Sequence, residues 1–535
     1  MTPTRTRRSL TMLLIAAVAA MVALPASAAY AEDYVPISGA GSSWSSNAID
    51  QWRRNVQQYG MRVNYASTGS SDGRNQFKAG TVDFASSEIP YGLKDGGVVD
   101  APPSRGYAYM PLVAGGTAFM YNLSSGGKSI TNLRLSGEVL TKIFTGVITS
   151  WDDKAIKADN PGLSLPKRKI VPVVRSDGSG STAQFTTWMA NQHGKLWDSY
   201  CAKAGRSTPC GVTSNYPTVS GKGFIAQPNS QGVSGYVAQK ANIGTITYVE
   251  YSYALKTGYP VAKILNKAGY YVEPTASNVA VGLLGAKINT DKGSSSYLTQ
   301  ILTGVFNNKD ARAYPLSSYS YLIVPTRIES NFTEEKGKTL GGFAYYFLCE
   351  GQQQAEVLGY SPLPINLVKA GLDQVKKIPG VEAKSINITK CNNPTFSKDG
   401  TNTLAKKAPQ PPACDRKGAD QCTTGTGGSK TDTASSGGSD SGDDSTDGAT
   451  DDSGTDDGSG TDGGNGGASS ADGPVYCEAD TGVCANVVAL PVEVENESSW
   501  GMPQTFMVAA VLLLIGLVVL PPTLGQFIAR RKSQS

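Results

Sequence analysis

Between Thr423 and Gly473 the chain consists almost entirely of Gly, Ser, Thr and Asp, and this composition limits where a folded domain can lie. Such a stretch buries too little apolar surface to offset the entropy lost on ordering, so we predict a disordered linker over residues 423–473. About fifty flexible residues have an end-to-end distance of roughly 40 Å, and more where like charges repel. The large domain therefore precedes the linker.

A calcium loop is the alternative that residues of this stretch suggest. Asp443-x-Ser445-x-Asp447-Gly448 has the spacing of the start of such a loop. The twelfth position, which normally supplies a bidentate carboxylate, is Gly454. We therefore interpret the segment as solvated linker, and we predict neither a metal site nor a cofactor for the chain.

The N-terminus has the three parts of a secretory signal peptide, which we place at residues 1–31. Basic residues precede an apolar run from Leu13 to Leu24, and Ala26-Ser27-Ala28 forms a small-residue cleavage site. Cleavage after Ala31 is the alternative. The chain is therefore expected to leave the cytoplasm.

The C-terminus predicts a membrane anchor. Residues 505–528 are apolar and long enough to span a bilayer as one transmembrane helix. The basic tail at 529–535 is then cytoplasmic by the positive-inside rule, and the large domain is extracellular. A sorting tail that is later removed is the alternative, but its L-P-x-T-G should precede the apolar run, whereas Leu520 to Gly525 comes late and does not match. Residues 474–500 form a short juxtamembrane segment.

The formal net charge of +4 conceals an uneven distribution. Asp is concentrated between Lys430 and Ala471, so the folded part must be clearly basic. A basic domain suits an anionic ligand, and nucleic acid is the competing partner. Nucleic-acid binding uses clustered Lys and Arg or a basic helix, and the sequence shows neither, so we predict no nucleic-acid partner.

The eight Cys residues predict disulfides. An even count in a secreted chain favours disulfides over zinc, which would need closer Cys or Cys/His spacing, and His193 is the only histidine. Sequence does not fix the connectivity. The simplest assumption pairs neighbours: Cys201 with Cys210, Cys349 with Cys391, Cys414 with Cys422, and Cys477 with Cys484.

Helical and strand-like patterns alternate along the folded part. Asn47–Tyr59 and Gly341–Leu358 have helical patterns, whereas Arg62–Tyr65, Thr245–Val249 and Tyr319–Val324 are strand-like. This alternation predicts an α/β protein with open sheets. In such sheets a ligand binds in the crevice beyond the strand ends, where helices begin.

One strand–turn–helix transition carries most of the functional information. Val173-Val174 leads into Arg175 and Asp177, and a Gly/Ser turn then precedes a helix-like run from Ala183 to Asn191. The first N–H groups of a helix lack intrahelical partners and the macrodipole is positive there, so this turn predicts an anion site. Asp177 fits beside an anion if it pairs with Arg175 or accepts a proton from the ligand.

Three ordered motifs resemble those of the phosphate-binding proteins that serve ABC phosphate importers. The segment from Arg175 to Ser181 is similar to the family's R-x-D-G-S-G-T, with Ser181 in place of Thr. The second match is Ser38–Trp44 with T-G-A-G-A-T-F, and the third takes Gly69–Gly73 and Thr81–Glu88 together, with G-S-S-G-G and T-V-D-F-G-A-S-D. The resemblance runs from about Tyr34 to Lys376, and three motifs in order are more specific than any one alone.

The resemblance implies a two-lobed periplasmic-binding-protein fold of type II, in which two open sheets are joined by crossing hinge strands. We place the crossings near Tyr109–Thr117 and Tyr314–Ser320. Lobe I then comprises residues 34–114 and 318–403, and lobe II comprises residues 115–317. A ligand in the cleft would close the lobes by a hinge motion.

The same resemblance assigns a set of phosphate-binding residues: Ser43, Trp44, Ser70, Glu88, Arg175, Asp177, Ser179, Gly180 and Ser181. Each has a simpler alternative. Ser43 and Ser70 could only cap helices or turns, and Arg175 with Asp177 could form a surface ion pair. Glu88 could be a solvated acid. Trp44 stands where the family has a smaller Phe.

Glu88 is the main departure, because the family has Asp at this position. Near neutral pH phosphate keeps at least one proton, whereas sulfate has none. A carboxylate that accepts this proton favours phosphate and repels sulfate. Since Glu is one methylene longer than Asp, either the cleft is wider or Glu88 reaches in from a retracted backbone.

These features predict a membrane-anchored extracellular receptor that captures inorganic phosphate and passes it to the permease subunits of an ABC importer. We expect a monomer without enzymatic activity. A serine hydrolase is the enzymatic alternative, because Gly69-x-Ser71-x-Gly73 fits a nucleophile elbow. Its base would have to be His193, which lies in a polar helix end. A receptor for another oxyanion and a surface adhesion protein are the remaining alternatives.

Overall fold

The computed structural model describes residues 34–429, except 96–97, 295, 330, 383–390, 392 and 398, together with the backbone of 475–477 and 484–486. The chain forms two compact units, residues 1–441 and 442–535. The predicted signal peptide, most of the predicted linker, the membrane helix at 505–528 and the tail at 529–535 lie outside the described residues. Within the described part of the chain, no helix combines the length and apolar character that crossing a membrane requires.

Eight strands form the main sheet: β1 Ile37–Gly41, β2 Val63–Ala66, β3 Phe84–Ser87, β4 Tyr107–Asn122, β5 Val171–Arg175, β6 Ile225–Gln227, β7 Thr245–Glu250 and β8 Ser317–Pro325. The α-helices are α1 Ser46–Asn55, α2 Ser70–Ala79, α3 Gly137–Phe144, α4 Lys154–Asp159, α5 Gly180–Gln192, α6 Gly194–Lys203, α7 Asn229–Val237, α8 Tyr251–Thr257, α9 Ala276–Leu283, α10 Thr303–Phe306, α11 Glu334–Leu348, α12 Ile365–Val375 and α13 Thr403–Lys407.

Short elements complete the structure. Three-residue or longer 3-10 helices lie at Val56–Tyr59, Glu350–Gln354 and Ala413–Asp415. Small sheets pair Lys94–Asp95 with Val98–Val99, Ser124–Ser125 with Lys128–Ser129, Lys287–Ile288 with Gln300–Ile301, and Val475–Cys477 with Cys484–Asn486; Lys263–Leu265 pairs with both Arg134–Leu135 and Tyr271–Val272.

The strand order in the main sheet is β6-β5-β7-β4-β8-β3-β1-β2. Parallel triplets stand at both ends: β1 pairs in parallel with β2 and β3, and β5 with β6 and β7. The antiparallel strands β4 and β8 lie between them. The carboxyl ends of the parallel strands, where helices begin, are therefore available as a ligand crevice in each half.

The long strand β4 connects the two halves of the sheet. Its first part pairs with β8 as far as Gly116, which lies opposite Ser317. Its second part, from Thr117 to Asn122, pairs with β7. The partner changes at Gly116–Thr117, which lies in a predicted crossing segment. The lobe boundaries themselves stay a prediction.

The central strands are buried along almost their whole length. Every residue of β8 is buried, as is every residue of β4 after Tyr107. A strand that is buried at consecutive positions must be covered on both faces, because its side chains alternate between them. The sheet is thus an internal layer between helices, as the predicted α/β class requires.

Most predicted elements are confirmed, with shifted ends. The predicted helix at Asn47–Tyr59 is α1 followed by a 3-10 turn, and the three strands lie within one or two residues of their predicted bounds. The predicted helix at Gly341–Leu358 is wrong at both ends. It begins at Glu334, where the Thr333 hydroxyl caps it by accepting from the Lys336 N–H, and it stops at Leu348.

Three of the four assumed disulfides are present: Cys201–Cys210, Cys349–Cys391 and Cys414–Cys422. Their Cα–Cα separations of 6.1, 4.7 and 5.1 Å are in the range that a disulfide spans without backbone movement. For the fourth pair the structure describes only the backbone, in which Cys477 lies opposite Cys484.

Residues 409–429 form a C-terminal strap on the domain, which the sequence analysis did not predict. The Arg134 guanidinium donates to the carbonyls of Cys414 and Ala419, at 2.7 and 3.1 Å. Lys263 and Asp415 form a buried ion pair at 2.6 Å. The predicted linker therefore begins too early: Thr426 exchanges hydrogen bonds with Val261, so the chain is still packed there.

Candidate functional site

The strand–turn–helix segment from Arg175 to Ser181 forms the start of α5, as predicted. The Ser179 hydroxyl caps the helix by accepting from the Thr182 N–H at 3.2 Å, and Gly180 is the first helical residue. The Ser181 hydroxyl is buried, and no group in the described part of the chain bonds to it. This orphaned donor lies in the first turn, where an anion would accept from it.

Arg175 and Asp177 form an ion pair in which the arginine is buried and the aspartate is partly exposed. Arg175 donates through Nε to Asp177 Oδ1 at 2.7 Å and through Nη2 to Oδ2, with its side chain only 2% exposed. Asp177 Oδ1 also accepts from the N–H of Asn229, the first residue of α7, at 2.9 Å. The ion pair is therefore not a surface pair: it fixes the guanidinium between the starts of α5 and α7.

Ser43 and Trp44 lie just before α1 and have different environments. Ser43 Oγ accepts from the N–H of Ser230 at 2.9 Å and lies 2.9 Å from the Ser230 hydroxyl. The Trp44 N–H donates to Ser42 Oγ at 3.0 Å. The Trp44 indole points away into the core, where it meets the Tyr360 ring edge-on, so only its backbone belongs to the site.

Ser70 and Glu88 meet the start of α5. The Ser70 hydroxyl donates to Glu88 Oε2 at 2.8 Å and accepts from the Gly180 N–H at 3.1 Å. Glu88 Oε1 accepts from Ser42 at 2.6 Å. Glu88 is 1% exposed, so the alternative of a solvated surface acid is wrong for this structure.

Two glycines allow this close approach. A Cβ on Gly180 would lie 1.8 Å from Glu88 Oε2, and a Cβ on Gly69, whose φ is +99°, would lie 2.4 Å from Asp177 Oδ2. Any side chain at either position would collide with a carboxylate. The glycines of the motifs are therefore required by packing between the two halves as well as by turn geometry.

The site joins four helix starts from both halves of the sheet. Ser43 and Ser70, from the half that contains β1, contact Ser230 and Gly180, from the half that contains β5. The Ser71 N–H adds a bond to the Gly178 carbonyl at 3.0 Å. Since each helix start carries positive partial charge, their convergence around buried hydroxyls suits a small oxyanion.

Burial raises the pKa of the Glu88 carboxyl, and the hydrogen bonds from Ser42 and Ser70 oppose that shift. A carboxyl whose pKa is raised keeps its proton to a higher pH than a solvated one does. The site thus combines a fixed cation, Arg175, with an acid–base group, Glu88.

Sequence reasoning missed Ser42, Ser230 and Asn229. A detectable signal existed for the last two, because β6 and the turn at Pro228 form the same strand–turn–helix pattern as the segment at Arg175. Ser42 had no separate signal, since it precedes Ser43 in the same motif and only the fold directs it to Glu88.

The hydrolase alternative has no supporting geometry. Ser71 lies beside Gly178 at the start of α5, whereas His193 caps the far end of that 13-residue helix. At 1.5 Å per residue the two ends are roughly 20 Å apart, so His193 cannot act as a base for Ser71. His193 packs instead against the Trp188 ring, and burial lowers its pKa. Among the described residues, no cluster of three His, Cys, Asp or Glu could hold a metal.

Comparisons with known proteins agree with this geometry. The profile of the PBP superfamily domain matches residues 25–350. The phosphate-binding protein PstS of Xylella fastidiosa (strain Temecula1) is 34% identical over 338 residues, which cover 63% of this chain and 83% of the relative. PstS of Methanocaldococcus jannaschii is 32% identical over 354 residues, covering 63% and 85%.

A solved structure, the ancestral soluble variant of the Human Phosphate Binding Protein, aligns with a TM-score of 0.46 at 18% identity, over 67% of this chain and 98% of that one. The family assignment rests on the superfamily profile and the sequence relatives. The chain therefore belongs to the periplasmic-type substrate-binding proteins of the PBP superfamily and, within them, to the phosphate-binding PstS family.

Proposed function

We propose that this chain is an extracellular receptor that captures inorganic phosphate and delivers it to the permease of an ABC importer. The observation that carries the proposal is the convergence of four helix starts on one buried point beside Arg175. Donors from both halves reach that point, so an ion bound there would hold the halves together.

The chemistry of the site favours phosphate among oxyanions. The buried hydroxyls and backbone N–H groups supply donors, and the guanidinium balances part of the anion's charge. Glu88 adds an acceptor to which a protonated oxyanion can donate, beside the hydrogen bonds that it accepts from Ser42 and Ser70. Sulfate has no proton to donate, so its charge would face the Glu88 carboxylate without a hydrogen bond between them, which is costly in a desolvated site.

The relatives named PstS support phosphate as the ligand, and the permease partner is inferred from the resemblance to that family. The predicted signal peptide and the predicted membrane helix at 505–528 support export and anchoring on the outer face of the membrane. A tether would keep the receptor close to its permease and raise the local concentration without new contacts.

Calorimetric titration of the full chain with phosphate, and separately with sulfate, tests the proposal. We expect saturable phosphate binding and sulfate binding that is weaker by about hundredfold, the loss that a buried unpaired charge produces. Preference for sulfate would indicate a receptor for another oxyanion. Binding of neither anion would contradict the proposal and favour a surface adhesion protein instead.

A further inference from the structure

The donors of the proposed phosphate site are bonded to groups of the protein itself. The Trp44 N–H is bonded to Ser42 Oγ, and the Gly180 N–H is bonded to Ser70 Oγ. The hydroxyls of Ser42 and Ser70 in turn donate hydrogen bonds to the two oxygens of Glu88. One N–H just before α1 and one at the first residue of α5 are thus connected through hydroxyls to one carboxylate.

The Glu88 carboxylate lies against the start of α5. Its Oε2 would be 1.8 Å from a Cβ on Gly180, so it sits directly over the first helical residue. A carboxylate is itself a small oxyanion, and a helix start stabilises it for the same reason that it stabilises phosphate. The longer side chain of Glu makes this reach possible, because Asp would end one methylene earlier.

We propose that Glu88, held by Ser42, is an internal competitor of the bound anion, and that phosphate must displace it from the start of α5. The inference rests on the proposed function. It adds that the Ser42–Glu88 pair lowers the affinity of the site. A cavity of about 530 Å³ lined by Glu88, Gln184, Thr187 and Tyr321 offers the displaced side chain room.

Ser42→Ala tests the competitor without touching a predicted phosphate ligand. The substitution removes a donor from Glu88 and frees the Trp44 N–H. We expect the full chain carrying it to bind phosphate about tenfold more tightly, the effect of one hydrogen bond to a charged group. Without phosphate its melting temperature should fall, and saturating phosphate should restore it.

Ser45→Ala is the matched control. Ser45 lies on the same turn and is as buried as Ser42, but its hydroxyl lies 3.3 Å from that of Ser86 and not at Glu88. It should leave phosphate affinity unchanged. A similar gain in both serine variants would overturn the proposal, because the gain would then reflect loosening of the turn.

Glu88→Asp tests the proposal by shortening the competing side chain itself. Asp keeps a carboxylate that can accept the proton of phosphate but is too short to cover Gly180. We again expect binding about tenfold tighter than wild type. Unchanged or weaker phosphate binding in both Ser42→Ala and Glu88→Asp overturns the competitor inference and leaves the proposed function standing. Failure of the wild type to bind phosphate overturns the proposed function, and this inference with it.

Discussion

Arg175 has the strongest electrostatic role of any single residue in the site. Its guanidinium is buried, pairs with Asp177 through two nitrogens, and has Nη1 3.5 Å from the Ser230 hydroxyl. A cation fixed in this way needs no reorganisation when an anion arrives. The same pairing explains how Asp177 can stand beside an anion site without repelling the ligand.

Arg175→Ala should reduce phosphate affinity by at least about hundredfold, because it removes charge-assisted donors and leaves the partly buried Asp177 without its cation. Calorimetric titration measures the loss, and the melting temperature shows whether the fold is retained. Arg54→Ala is the control, since that side chain is exposed and bonds to Gln51. A folded Arg175→Ala protein with wild-type affinity would contradict this role.

Glu250 is a second buried acid, outside the phosphate site. It ends β7, and its Oε2 caps α8 by accepting from the Ser252 N–H at 2.7 Å. Its Oε1 has no hydrogen-bond partner among the described residues. Burial raises the pKa of this carboxyl well above the ordinary value, so the folded protein holds a proton that the unfolded chain releases.

Stability should therefore fall as pH rises from the ordinary carboxyl pKa through the raised one. Glu250→Gln keeps the cap and cannot ionise, so we expect it to raise the melting temperature at about pH 8 and to change it little at about pH 5. Glu356→Gln, at an exposed position, is the control. An equal effect at both pH values would show that ionisation of Glu250 is not the cause.

Among the elements, β4 and the C-terminal strap determine how the domain is held together. The strand β4 pairs with both halves, and at its crossing a Cβ on Gly115 would lie 2.7 Å from the Trp44 ring. The large indole that replaces the family's Phe is therefore accommodated by a glycine on the crossing strand. The strap is bonded to the domain through its carbonyl oxygens, which accept hydrogen bonds from Arg134.

Arg134→Met tests the strap. Met keeps an apolar stem but removes the donors to the carbonyls of Asp159, Cys414 and Ala419. Without these hydrogen bonds the strap is held less firmly against the domain. We therefore expect faster amide hydrogen exchange over residues 414–428, while β4 and β8 stay protected. Mass spectrometry of the exchanged peptides measures the change.

Arg312→Met is the reciprocal control, because Arg312 donates to the carbonyls of Ala405 and Ala408 instead. It should loosen residues 405–408, which precede the strap, and leave residues 414–428 protected. Equally fast exchange over residues 405–408 and 414–428 in either variant would indicate that the two segments open together and not separately.

At the scale of the whole molecule, the first compact unit contains every residue of the proposed site. The predicted linker should therefore position the domain without affecting its ligand. Deleting residues 430–470 is expected to leave phosphate affinity unchanged, as measured by titration, because no site residue lies there. A deletion of the strap at 409–429 is the contrasting case, because the strap packs on the domain. A loss of affinity in the linker deletion would contradict the expectation that the linker only positions the domain.

The amino-acid sequence by itself predicted the α/β class and the family, and it indicated most of the residues of the proposed anion site. Those features depend on local chemistry: a β-branched strand, a fixed cation and a Gly/Ser turn at a helix start are adjacent in the chain. Two of the three disulfides followed the simplest pairing for a related reason, since their cysteines are 9 and 8 residues apart and short loops bring them together, whereas Cys349 and Cys391 are 42 residues apart.

The tertiary structure alone decided which groups that are distant in sequence meet. Ser230, the Ser42–Glu88 bond and the strap contacts of Arg134 join residues far apart in sequence. No periodicity or motif encodes such pairs, because they depend on how two sheet halves and their helices pack. The burial of Glu88 over Gly180 is of this kind, and the sequence could state only that a longer acid had replaced a shorter one.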